Sequence, residues 1–258
     1  MTRDRILVCG ANGTLGQALL RAIGPERALS ASRQADPPIA GFEHIQLAAG
    51  GGLRARELEV CCAVVNAAGR TGGSEAELRI ANIDLPVELA RTARDAAVPK
   101  FVQVGSFSVY GHAETVGPAT PEDPRTNYAR SKALADQILL QLEAPGFLIE
   151  TVRLPFLFSL QQPGLLQPLL AFARSTHILP ICKPEPQRAM ITYDDAAAIL
   201  VEAAVDAHSG ISLAADTQPF TSSLLVHIAR EEAGLRWRTL ALPAPMVGMA
   251  RVLVPGVA

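Results

Sequence analysis

The sequence has no run of basic residues and no aromatic side chain interleaved with lysine or arginine, and its formal net charge is −2. A nucleic-acid groove needs a positive stripe and aromatic faces for stacking, so that class of partner is excluded. No uninterrupted apolar stretch is long enough to cross a bilayer, and the apolar tail PAPMVGMARVLVPGVA is short and broken by proline. Packing against the body, with no membrane contact, is the expectation for that tail. The opening MTRDRILVCG enters a strand-like run at once and leaves no room for a signal peptide, which points to the cytoplasm. Cysteine is scarce as well. Cys9, Cys61, Cys62 and Cys182 show neither Cys-x-x-Cys nor Cys/His ligand spacing. They read as reduced, small hydrophobes, and no metal is expected.

What the chain does have is alternation. Its 258 residues suffice for one large domain or two small ones. Strand-like apolar runs at 5–10, 27–32, 42–47, 60–69, 100–106 and 148–155 are separated by helical patterns at 14–23, 74–97 and 126–143. Continuous apolar strands with helix-length connections predict an α/β fold, a parallel sheet covered on both faces. After residue 155 the pattern loosens into proline-rich loops. Helices are expected at 193–208, 221–233 and 244–254, and short strands at 189–192, 211–214 and 237–242. The division expected is a first domain over 1–155 and a small lobe over 156–258 that shares its core.

GANGTLG places Gly10, Gly13 and Gly16 between the first strand and the first helix. Glycines there permit a tight turn and a close backbone approach to a pyrophosphate, and the helix N-terminus turns its amides toward the phosphates. Gly10, Asn12, Gly13, Thr14, Leu15 and Gly16 are the cofactor-binding candidates of this loop. At the end of the second strand, where an acid would grip an adenosine ribose, the sequence reads SASRQ. Ser32 and Arg33 suit a 2′-phosphate, which favours NADP(H) over NAD(H). Alternatively, Arg33 only solvates the strand end.

With these motifs in place, the chain resembles the extended short-chain dehydrogenase/reductases, the NAD-dependent epimerase/dehydratase family, in its nucleotide-sugar-modifying branch. The matching segments are GANGTLG, VVNAAG, NIDLPVELARTA, FVQVGSFSVYG, NYARSK, VRLPFLF and MITYDDAAAIL, in the family's order. The resemblance implies a Rossmann-type, doubly wound parallel sheet of seven strands, with 1–155 as its NAD(P)-binding domain and 156–258 as a small C-terminal substrate lobe, and a Ser-Tyr-Lys site. Tyr128 would be the general acid/base. Lys132, one helical turn on, would lower the phenol's pKa and hold the nicotinamide ribose. Ser106 would position the substrate oxygen, with Ser108 as the fallback, lining the pocket. Asn66, Ala67, Ala68 and Gly69 would line the cofactor. Asn82 is either a brace for the site or an exposed helical amide. Gly105 stands where relatives often carry a second Ser or Thr.

The departures narrow the expected chemistry. Ser106 is flanked by Gly105 and Phe107, without the acids a 4,6-dehydratase needs. QLAAGGG offers no acid to the adenine, and the chain is shorter than most of the family. Substrate contacts are expected from Thr126, Asn127, Arg188 and the loop 160–188. Asp194 and Asp195 read as helix N-terminal charges. The expected activity is reduction or oxidation of a carbonyl or hydroxyl on a nucleotide-sugar-like small molecule. The alternatives are a 4-epimerase with tightly bound NAD and a non-catalytic NAD(P) sensor. A homodimer through the helices at 74–97 and 125–143 is a further implication of the resemblance.

Overall fold

The computed structural model of the chain describes residues 3–48, 52–159, 171, 175–183, 187–216, 219–221, 223–224 and 238–243. It divides into two compact units, Met1–Pro155 with Tyr193–Ala214, and Phe156–Thr192 with Ala215–Ala258. A single cut after residue 155 therefore does not describe the division. The helix and strand of Tyr193–Ala214 return to the first unit and complete its sheet.

Numbered along the chain, the first unit contains β1 (Arg5–Cys9), β2 (Ala28–Ser32), β3 (Glu43–Gln46), β4 (Cys61–Asn66), β5 (Lys100–Ser106), β6 (Leu148–Leu154) and β10 (Gly210–Leu213). They form one sheet in the order β10-β6-β5-β4-β1-β2-β3, every neighbouring pair parallel. Strand order reverses between β1 and β4, the crevice at which such sheets take ligands. The central strands are buried on both faces: Ile6 to Cys9, Ala63 to Val65, and Phe101 with Val102 have no exposed surface. Five helices cover them: α1 (Thr14–Ile23), α2 (Glu75–Arg79), α3 (Leu85–Asp95), α4 (Asn127–Leu140) and α5 (Tyr193–Val205). α1 packs on α5, and α3 packs on α4. The α3 residues Leu89, Ala90 and Ala93 share a core with Leu7, Val64, Phe101 and Ile149 of the strands.

The expected helix over 74–97 is interrupted by one π turn, Ile80–Asp84, between α2 and α3. Pro86 explains it. A proline has no amide to give the carbonyl four residues back, and its ring crowds that carbonyl. The helix widens, and the Leu85 amide bonds the Ile80 carbonyl instead. Asn82 lies inside the widened turn and is 1 % exposed, which removes the exposed-amide alternative.

In the second unit β7 (Phe156–Phe158) pairs with β9 (Met190–Thr192), and β8 (Ile178–Lys183) pairs with β11 (Arg238–Pro243), both parallel. Phe158 and Phe220 pack with ring centroids 5.3 Å apart. The helices expected at 221–233 and 244–254 and the loop 160–170 lie outside the described residues, apart from Thr221, Ser223 and Leu224. Among the described residues no helix is long and apolar enough to cross a membrane.

At the amino end of the sheet a buried ion pair joins distant segments. Lys100 Nζ donates to Glu150 Oε2 at 2.9 Å, Asp206 Oδ1 at 2.7 Å and the His208 carbonyl at 2.5 Å. The other Glu150 oxygen accepts from Ser212 Oγ at 2.5 Å. Lys100 and Glu150 are both nearly free of solvent, so removing one leaves the other charged and buried. Lys100→Ala is expected to cost about 3–5 kcal/mol, and pairing Lys100→Met with Glu150→Leu to recover most of it. Urea denaturation of the single and double variants reads the difference.

Candidate active site

The turn from β1 into α1 is pressed against the end of β4. Gly10 has φ of +81°, and a Cβ there would lie 2.5 Å from the Ala68 amide nitrogen. A Cβ on Gly16 would lie 2.2 Å from the Gly10 carbonyl oxygen. Only glycine fits either place. Gly13 is the N-cap of α1 and brings no side chain to the helix start, where Thr14 and Leu15 follow. Among the described residues Asn12 Oδ1 is buried without a hydrogen-bond partner, and as an acceptor it calls for a donor. The uncapped helix N-terminus and a turn with no room for a Cβ fit the pyrophosphate of a dinucleotide.

Asn66, fully buried at the end of β4, acts on the protein itself. Its Nδ2 donates to Gln103 Oε1 at 2.9 Å, and its Oδ1 accepts from the Ala68 amide at 3.1 Å. It thus shapes the turn through Ala67, Ala68 and Gly69. Asn82 continues the brace: Nδ2 donates to the Arg70 carbonyl and to Ser131 Oγ, both at 2.9 Å, and Oδ1 accepts the Arg70 amide at 2.8 Å. The π turn thereby ties the strand-end loop to α4 beside Lys132.

At the end of β2, Ser32 is buried and its Oγ accepts the Gln34 amide at 3.1 Å, while Arg33 is exposed. Two residues of β3 hold this turn. His44 Nε2 lies 2.9 Å from the Gln34 carbonyl. A carbonyl only accepts, so that nitrogen carries the proton. Gln46 Nε2 donates to the Arg33 carbonyl at 3.4 Å.

β5 delivers Ser106 at its carboxyl end, and α4 brings Tyr128 and Lys132 to the same edge. Ser106 Oγ accepts the Ser108 amide at 3.2 Å. Among the described residues Ser108 Oγ is buried without a partner. Burial pushes the Tyr128 phenol above its usual range; the Ser106 hydroxyl pulls it down and the Asp136 carboxylate pushes it up. The downward pull expected from Lys132 is not among these effects. Its ammonium donates instead to the Val104 carbonyl of β5 at 2.5 Å. Burial lowers Lys132 to about 8, against an upward pull from Asp136.

The remaining candidates fall elsewhere. Thr126 Oγ1 caps α4 by accepting the Ala129 amide at 3.0 Å. Asn127 Oδ1 accepts from Arg130 at 2.5 Å. Arg188 belongs to the second unit, where its backbone pairs with Phe220. Burial pushes the Cys9 and Cys61 thiols up to about 12 and about 11, so neither is a nucleophile. Among the described residues no cluster of His, Cys, Asp or Glu is able to hold a metal.

Arg153, within the motif VRLPFLF, has a role that its place in the motif did not disclose. Its guanidinium, buried on β6, donates to Asp136 Oδ2 at 3.0 Å, the Tyr110 hydroxyl at 2.8 Å and Glu122 Oε1 at 2.5 Å. It also explains Gly105, where any Cβ would lie 2.7 Å from the Arg153 Cγ and the Thr151 Cγ2.

Because the unfolded chain holds the Lys132 proton more tightly, charging this buried amine costs the fold up to about 3 kcal/mol at neutral pH. The cost fades as pH rises from 8 toward 10.5, where both states are neutral. Lys132→Met is therefore expected to be more stable than the wild type near neutral pH, with the gap narrowing as pH rises and closed by about 10.5. Urea denaturation over the range reads it, and a gap independent of pH would sink the account.

Comparison with known proteins bears on the family and the fold. A family model described as the NAD dependent epimerase/dehydratase family matches residues 6–211, from β1 into β10. A 4-hydroxy-2-methyl-3-oxo-4-farnesyl-3,4-dihydroquinoline-1-oxide ketoreductase of Stigmatella aurantiaca is 27% identical over 191 residues, 66% of this chain and 55% of its own. The chain thus spans little more than half the length of that relative. The solved UDP-N-acetylglucosamine 4-epimerase from Bacillus cereus superposes with a TM-score of 0.77 at 17% identity, covering 93% of this chain and 87% of its own. MoeE5, solved in complex with UDP-glucose and NAD, gives 0.72 at 19%, with 93% and 85% covered. At such identities the likeness is one of fold. The matched family model goes further: the chain belongs to the NAD-dependent epimerase/dehydratase family of extended short-chain dehydrogenase/reductase enzymes.

Proposed function

We propose that this chain is an NADP(H)-preferring oxidoreductase that interconverts a carbonyl and a hydroxyl on a small molecule, a nucleotide-linked sugar being the first substrate class to test. The observation that carries the reading is the meeting of Ser106, at the end of β5, with Tyr128 and the buried Lys132 of α4 at the sheet's carboxyl edge, where the Ser106 hydroxyl is near enough to act on the Tyr128 phenol. When bound, the dinucleotide supplies or accepts the hydride. The protein's part is the proton. Tyr128 Oη gives it to, or takes it from, the substrate oxygen, and Ser106 Oγ orients that oxygen through a hydrogen bond. Burial keeps the phenol protonated, and a positive charge brought next to it in the complex would favour the phenolate that forms. Lys132 carries such a charge below a pH of about 8.

Gly10, Asn12, Gly13 and the first turn of α1 would hold the pyrophosphate. Ala67, Ala68 and Gly69 would face the ring system, with Lys132 near the second ribose. NADP(H) preference is supported by the lack of a carboxylate at Ser30–Arg33 and by the clamp of His44 and Gln46 on that turn. Carbonyl chemistry is supported by the ketoreductase relative. The 4-epimerase reading draws support from the epimerase-like fold and requires a cofactor that is never released. The homodimer is supported by two exposed apolar side chains, Ile80 on the π turn and Leu134 on α4. Light scattering at twice the monomer mass is its expected signature, and a monomer at working concentration removes it.

Protein purified without added cofactor is expected to release no stoichiometric dinucleotide on denaturation, and to bind NADPH more tightly than NADH. Arg33→Ala should reduce that preference by about tenfold. Tyr128→Phe should retain cofactor binding while turnover of a carbonyl substrate falls by about 10²-fold or more. Near-stoichiometric NAD in the purified protein would establish the epimerase reading instead. Binding without any turnover would favour the sensor.

A further inference from the structure

α4 carries Tyr128, Lys132 and Asp136 at successive four-residue steps, so all three lie on one stripe of the helix. Lys132 and Asp136 are 4 % and 1 % exposed. Asp136 Oδ2 is bonded by Arg153 Nε, while Asp136 Oδ1 is buried without a hydrogen-bond partner among the described residues. Behind Asp136, Arg153 is held by Glu122 and lies over the Tyr110 ring with its guanidinium carbon 5.1 Å from the centroid. Reading inward from the surface, the charges alternate: Glu122, Arg153, Asp136, Lys132. Among the described residues, Asp136 is the one charged group that acts on Lys132.

We propose that Asp136 is a positioning residue for the proton of Lys132: its half-paired carboxylate is the counter-charge that keeps the buried amine an ammonium beside Tyr128. This deepens the Tyr128–Lys132 reading and rests on it for the catalytic consequence. The protonation itself belongs to the folded chain and is measurable whether or not the chain turns over a substrate.

The arrangement differs from a structural ion pair. Glu150 has both oxygens bonded and Lys100 has three acceptors. Asp136 has one oxygen bonded, and Lys132 donates to one carbonyl. Burial raises the Asp136 carboxyl to about 6 against the pulls of Lys132 and Arg153, with Glu122 pushing it further up. Tyr128, on the same stripe, is affected by Asp136 in turn. Remove the carboxylate charge, and burial alone acts on Lys132.

The chain contains only three lysines, Lys100, Lys132 and Lys183. Selective 13Cε labelling therefore yields three signals, and Lys132→Arg assigns the one that matters. In the wild type the Lys132 signal is expected to titrate near pH 8. In Asp136→Asn, which keeps an oxygen for Arg153, the midpoint should fall by about 1 pH unit or more, and Asp136→Glu should restore it. A folded Asp136→Asn protein with an unmoved midpoint overturns the proposal, as does a wild-type midpoint near 10.5. Tyr128→Phe turnover reads the functional assignment separately, so the two fail independently.

If Asp136→Asn does not fold, reciprocity supplies the second measurement. A coupled pair shifts symmetrically, so Lys132→Met must raise the Asp136 midpoint above about 6. A carboxyl raised above its unfolded value of 3.8 loses stability for the fold as pH climbs through the interval between the two. Urea denaturation of Lys132→Met should therefore show stability still falling above pH 6, where the wild type has levelled. Superimposed profiles there overturn the proposal.

Discussion

The guanidinium of Arg153 sits inside the protein and bonds three different elements: α4 through Asp136, the short turn after β5 through Tyr110, and the loop ahead of α4 through Glu122. A planar fork with five donors is suited to that task, since each partner takes a separate edge. An unpaired buried cation would be costly, so the three partners hold their places together. The consequence reaches the catalytic edge. The loop through Glu122 leads into Thr126, whose hydroxyl oxygen starts α4 and so sets where Tyr128 begins. On the neighbouring strand, the stem of Arg153 leaves room only for glycine at 105.

The two ends of the sheet use buried charge in opposite ways. At the amino end, Lys100 and Glu150 are saturated with partners, and the group ties the segment after α5 to β5 and β6. Towards the carboxyl end, the charges are under-bonded: Lys132 has one carbonyl, Asp136 one guanidinium nitrogen, and among the described residues Asn12 and Ser108 each carry a buried atom without a partner. Unsatisfied buried polar atoms cost stability. They also occur away from that edge, at Arg5 Nε and Thr151 Oγ1.

The motifs could be read because they depend on local spacing. Tyr128 and Lys132 share a helix face, and Ser106 ends a strand whose apolar run is continuous, so both placements follow from chain periodicity. Gly10 and Gly16 were legible as a turn, although the reason for each lies in the backbone of Ala68 and of Gly10 itself. The ionic cluster was not legible. Arg153 and Asp136 are 17 positions apart, and Lys100 and Asp206 are 106 apart. No periodicity announces such pairs. The helix over 74–97 was expected without a break, and the π turn that buries Asn82 against Ser131 needed α4 as its partner.

By itself, the sequence determined the order of strands and helices and the glycine turn, because backbone stereochemistry and apolar periodicity act over a few residues; the candidate triad came from the family resemblance of its motifs. Tertiary structure decided which charges face one another. It turned Lys132 toward the Val104 carbonyl, set Asp136 behind it, returned α5 and β10 to the first sheet, and clamped the Ser32–Gln34 turn from β3. Those outcomes follow from electrostatics and desolvation, which depend on distance in space and on exclusion of water.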